Sequence, residues 1–77
     1  MIVNVYTPEY SRSFEAEAVF LPGSSAPFEV LPGHAPLIST LAAGTLRWRS
    51  GGNEETLAIR SGAVRIQNDI VEICAEV

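Results

Sequence analysis

Few side chains in this 77-residue chain have chemistry to offer: one histidine, one cysteine, one tryptophan, five arginines and a scatter of carboxylates. His34 comes first, because an imidazole titrates near neutrality and can serve as a general base. It sits in the stretch Val30-Leu31-Pro32-Gly33-His34-Ala35-Pro36-Leu37. A general base needs an orienting partner and a nucleophile close by. Cys74 and the serines are the candidates, and their spacings match no such arrangement. A histidine between Gly33 and Ala35-Pro36 is more often a turn or surface residue, and that reading is preferred.

The other candidates resolve similarly. Cys74 falls in an alternating strand and reads as a small apolar residue. A lone cysteine forms no internal disulfide, and no Cys/His set has zinc spacing. Trp48 shares a face with Leu46 and Leu57, so it reads as core, with ligand stacking the lesser alternative. The glutamates are dispersed, with no carboxylate pair at a useful spacing. The sequence thus predicts no catalytic residue, no metal ligands and no cofactor.

Composition narrows the classes further. A net charge of −4 with no lysine repels phosphate backbones, so nucleic acid is a poor partner. Without lysine there is no P-loop lysine, no Schiff-base amine and no attachment point for biotin or lipoate. Met1-Ile2-Val3-Asn4 lacks the basic start and apolar run of a signal peptide. No apolar stretch approaches the ~20 residues of a membrane span. The expectation is a soluble protein that stays in the cytoplasm.

Residues need elements to hold them. Turn signals recur at Thr7-Pro8, Pro22-Gly23, Pro32-Gly33, Ala43-Gly44, Gly51-Gly52, Ser61-Gly62 and Asn68-Asp69. Most are roughly 8–12 residues apart, the rhythm of an all-β sandwich or barrel. Phe14, Ala16, Ala18 and Phe20 alternate with Glu15 and Glu17, which reads as one strand with an apolar face. A tight turn at Gly51-Gly52 sets Leu46 against Leu57 and Arg49 against Glu54. A two-residue turn at Asn68-Asp69 sets Ile66 against Val71, Val64 against Ile73, Arg65 against Glu72 and Ala63 against Cys74. Both registers put apolar residues on one side and opposite charges across from each other. The predicted fold is one all-β domain over residues 1–77, a small sandwich of two antiparallel sheets and about ten short strands. Its predicted core is Phe14, Phe20, Leu46, Trp48, Leu57, Val64, Ile66, Val71 and Ile73. Pro32 and Pro36 brace a stiff corner with His34 and Ala35 at its tip.

The segment from Phe20 to Arg49, with Ile59 to Glu76, resembles the epsilon subunit of F-type ATP synthase. Pro22-Gly23, Phe28, Val30 to Leu37, Gly44, Arg47 and Ser61-Gly62 match its pattern in order, and Tyr6-Thr7-Pro8-Glu9 resembles its first strand and turn. The resemblance implies a β-sandwich and a non-catalytic rotor subunit that links the gamma subunit to the c-ring and couples proton transport to ATP synthesis. It implies a peripheral place in the complex, on the cytoplasmic side of the inner membrane, with no direct membrane insertion. It places the loop Gly23, Ser24, Ser25, Ala26, Pro27 and Phe28 toward the c-ring. Thr7, His34, Ala35 and Ser39 match the gamma-facing side.

Two departures stand out. Ser24-Ser25-Ala26-Pro27 replaces a more flexible, often acidic loop, and Glu29 stands where glycine is usual. The family's C-terminal helical hairpin, which inhibits hydrolysis, has no counterpart in these residues, so no inhibitory latch is expected. The alternative is a small sandwich that binds a protein or ligand and is unrelated to ATP synthase.

Overall fold

Two glycines and an Asn-Asp pair set the hairpins. In the computed structural model, which describes residues 1–77, Gly51 and Gly52 have φ of 59° and 81°, and Asn68 and Asp69 of 54° and 61°. Positive φ at both central residues is the requirement of the two-residue turn that matches strand twist. The first turn joins β6 (Gly44–Ser50) to β7 (Asn53–Ile59), and the second joins β8 (Ser61–Gln67) to β9 (Ile70–Glu76). Both registers are as expected: Leu46 faces Leu57, Arg49 faces Glu54, Ile66 faces Val71 and Arg65 faces Glu72.

The remaining strands are β1 (Ile2–Tyr6), β2 (Ser11–Glu15), β3 (Ala18–Leu21), β4 (Phe28–Val30) and β5 (Leu37–Leu41). They complete a five-stranded sheet in the order β2-β1-β9-β8-β5 and a four-stranded sheet in the order β4-β3-β6-β7. The all-β sandwich is borne out, with nine strands. One pairing departs from the antiparallel rule: β1 runs parallel to β9, setting Val3 beside Val71 and Val5 beside Ile73. Parallel neighbours need a long crossover, and here the whole second sheet lies between them in sequence.

The strand expected from Phe14 to Phe20 is two strands. The chain leaves the first sheet at Ala16, whose N–H donates to Met1 O at 2.9 Å. It enters the second at Glu17, whose N–H donates to Arg49 O at 2.8 Å. The crossing resets the alternation. Ala18, Val19 and Leu21 are buried, and Phe20 turns to the outer face, half-buried under the Arg47 guanidinium at 4.1 Å. Phe20 is therefore not a core residue. Ser61-Gly62, expected as a turn, is instead the start of β8, the bend falling at Arg60.

Between the sheets Val3, Val5, Val19, Leu21, Val30, Leu46, Trp48, Val64, Ile66, Val71 and Ile73 form the core, with Phe14 and Leu57 packed against it. No polar or charged residue is buried. On the surface, Arg65 donates through Nε and Nη2 to Glu72 Oε1, and this hydrogen bond and charge raise the guanidinium's pKa. An arginine raised in the fold keeps its contribution at all lower pH and loses it only as pH climbs through the folded value, far into the alkaline range. Arg65 therefore gives stability no slope near neutrality.

Candidate functional site

The corner around His34 is built by its neighbours. Pro32 and Gly33 occupy the two central positions of a β-turn, Gly33 with φ of 82°, and His34 N–H donates to Leu31 O at 3.2 Å. This is the proline-glycine signature of a type II turn. Gly33 N–H also donates to Asp69 Oδ1 at 2.8 Å, tying the corner to the β8–β9 turn. Asp69 further accepts, through its main-chain oxygen, from Ile2 N–H at 3.1 Å. One aspartate thus gathers three segments at this end of the five-stranded sheet.

The imidazole is engaged locally. His34 Nδ1 lies 2.7 Å from Ala35 O, and no other side chain hydrogen-bonds to the ring. Nothing orients it as a general base. No three of His, Cys, Asp and Glu gather as metal ligands. Trp48 sits in the core, its indole N–H donating to Glu55 Oε2 at 3.1 Å. Cys74 pairs with Ala63 as expected, but its side chain is exposed on the outer face.

The four gamma-contact candidates do not form one cluster. His34 and Ala35 lie at the Asp69 end of the sheet, whereas Thr7 follows β1 at the other end. The Thr7 hydroxyl accepts from Tyr10 N–H at 3.1 Å and donates to Tyr10 O at 3.1 Å, forming a local turn. Ser39 is midway along β5, opposite Val64, half-buried. Ser39 shares the inner face with Val64, whereas on the sheet's outer face Tyr6, Ile38, Ala63 and Cys74 line a shallow apolar depression edged by Arg65 and Glu72. Ile38 is 77% exposed, an unusual setting for a β-branched aliphatic residue on a sheet. This face was not singled out from the sequence; the signal was isoleucine at a position whose register, opposite Arg65, makes it point outward.

The six loop residues stay together. Gly23 bridges to Leu41, Ser24 N–H donates to Thr40 O at 3.0 Å, and Thr40 Oγ1 donates to Ser24 Oγ at 2.8 Å. The start of the loop is thereby stitched to β5, while Ser24 to Pro27 remain exposed. Phe28 is half-buried and packs against the core. Gly23 is required by close approach: a Cβ there would collide with Ala26 O and lie 2.9 Å from the Phe28 ring. Gly23→Ala should lower stability by about 1–3 kcal/mol and accelerate amide exchange at Ser24. Wild-type exchange at Ser24 would show that the loop does not depend on that contact.

A family model described as "ATP synthase, Delta/Epsilon chain, beta-sandwich domain" matches residues 1–77. The chain is 38% identical over 76 residues to the ATP synthase epsilon chain of Wolinella succinogenes, covering 96% of this chain and 58% of that one. It is 35% identical over 75 residues to the epsilon chain of Leptospira interrogans, covering 96% and 59%. It therefore spans under two thirds of the length of these relatives. Two solved structures share the fold. One is the central stalk and c-ring of the Tetrahymena thermophila mitochondrial ATP synthase, with a TM-score of 0.86 and 16% identity, covering all of this chain and 63% of that one. The other is the Euglena gracilis mitochondrial enzyme, with a TM-score of 0.91 and 20% identity, covering 97% and 49%. With the family model matched over residues 1–77 and the two-sheet sandwich in place, the chain belongs to the ATP synthase delta/epsilon family and comprises its β-sandwich domain.

Proposed function

We propose that this domain is a non-catalytic rotor element of an F-type ATP synthase, held between the gamma subunit and the c-ring and coupling proton transport to ATP synthesis. The observation that carries the reading is the family match over residues 1–77. The geometry supports a division of labour. The exposed loop from Ser24 to Pro27, anchored through Gly23 to β5, is the contact toward the ring. The outer face around Ile38 is the contact toward gamma, with the His34–Ala35 corner and the Thr7 turn at opposite ends of the same sheet and Ser39 on its inner side. A proline-braced corner and a stitched loop lose little conformational entropy on binding, which suits both roles.

In this role the domain takes part in no chemistry. The His34 ring is turned onto its own main chain, and the chain has no lysine to hold a nucleotide's phosphates. It works peripherally, on the cytoplasmic side of the inner membrane. Co-expression with a gamma subunit of the same enzyme, followed by size-exclusion chromatography, tests the reading. The two chains should co-elute as a one-to-one complex, without ATP hydrolysis by the sandwich alone. Separate elution at micromolar concentration would overturn it.

A further inference from the structure

The two flanks of the sandwich are closed in different ways. On one flank, main-chain hydrogen bonds join the sheets: Ser24 N–H to Thr40 O at 3.0 Å and Ala42 N–H to Pro22 O at 2.8 Å. On the other, the outermost strands are β2 and β7, which belong to different sheets and share no ladder. Side chains span the gap. Arg12 Nη2 donates to Glu55 Oε2 at 3.2 Å, and the Trp48 indole N–H donates to the same oxygen at 3.1 Å. Phe14 stacks on Trp48 with ring centroids 4.8 Å apart. The Arg12 guanidinium lies 5.4 Å from the Phe14 centroid and 5.6 Å from that of Trp48.

The two ends of β2 are held unequally. At its C-terminal end, Glu15 O accepts from Ser50 Oγ at 2.5 Å and the chain crosses directly into β3. Its first three residues, Ser11, Arg12 and Ser13, are exposed and pair only with β1. Nothing but the Arg12 group fastens that half to the second sheet.

The geometry points to a side-chain latch: Arg12, bonded to Glu55 above the Phe14–Trp48 stack, closes the β2–β7 flank and controls its local opening. An exposed ion pair alone contributes little. Here the guanidinium also covers two ring faces, and one carboxylate oxygen receives two donors, so the members are coupled. Release of the latch frees the start of β2 and uncovers the apolar seam between the two rings. The opposite flank, which carries the loop from Gly23 to Phe28, has its own main-chain bonds and stays closed. Opening is thus confined to a segment with few buried contacts.

Trp48 is the only tryptophan, so its fluorescence reports on this seam alone. Glu55→Gln keeps an acceptor for the indole and removes the charge that holds Arg12; Arg12→Met removes the charge from the other side. In the 77-residue protein, each variant should raise acrylamide quenching of Trp48 and speed amide exchange in β2 by roughly two- to tenfold. Exchange in β8 and β9 should not change, and the double variant should do no more than either single one. Wild-type quenching and β2 exchange in both variants would overturn the proposal. So would equal acceleration in β8 and β9, which marks global destabilisation instead of a latch.

Discussion

Leu46→Ala is expected to destabilise the domain by about 2–5 kcal/mol, the cost of removing a buried leucine and leaving a cavity. Leu46 has no exposed surface and lies in the second sheet opposite Leu57, facing the core. A domain of this size buries only about 60% of its unfolded surface, so its total stability belongs near the low end of roughly 5–15 kcal/mol. The loss should therefore consume a large part of that stability. Urea unfolding followed by Trp48 fluorescence should show a strongly lowered midpoint with an unchanged slope. Ile38→Ala is the control: a residue this exposed should shift stability by less than about 0.5 kcal/mol. Equal midpoints for Leu46→Ala and wild type would mean that this face of β6 is not the core.

The hairpins were legible because their determinants are local. Gly51-Gly52 and Asn68-Asp69 leave one sensible turn each, and a one-residue slip would turn Leu46, Val64 and Ile66 out to solvent. Even there the detail differs: Glu54 is paired in register with Arg49, yet its ion pair is with Arg47, diagonally across, at 3.6 Å. Long side chains reach that diagonal easily. What was not legible depends on contacts distant in sequence. Alternation alone could not show that Ala16-Glu17 crosses between sheets, because a strand that changes sheet keeps its pattern up to the crossing and resets it beyond. Nor could it pair β1 with β9, which depends on where the first and last strands meet.

The same division applies to the site. Pro32-Gly33 announced its turn, and Pro22-Gly23 its loop, by pairing a proline of fixed φ with a glycine that tolerates positive φ or close approach. The tie from Gly33 to Asp69 spans 36 residues and has no local signal. The Arg12–Glu55 contact spans 43 and has none either. Thr7, His34, Ala35 and Ser39 were grouped by resemblance, and the fold puts them at opposite ends and on the inner side of the sheet, whereas no motif marked the exposed Ile38 on its outer face.

Ile38→Arg should therefore weaken binding to gamma by about 2 kcal/mol, or roughly thirtyfold, without changing the fold. The side chain points away from the core, so in the free domain a charged replacement stays hydrated and meets only the cross-strand Arg65, at a cost below about 1 kcal/mol. In a complex the guanidinium would be buried among Tyr6, Ala63 and Cys74, next to Arg65, with only Glu72 as a counter-charge already taken by Arg65. Desolvating a charge without a free partner makes the substitution far more costly on binding than in the isolated domain. Isothermal titration of gamma with wild type, Ile38→Arg and Ala35→Arg would locate the contact. Loss in Ile38→Arg with a smaller loss in Ala35→Arg places gamma across the sheet face, with the proline-braced corner at the margin. The reverse order would move the centre of the interface to the corner. Wild-type affinity in both would rule out this side of the sandwich and leave the exposed Ile38 without a partner.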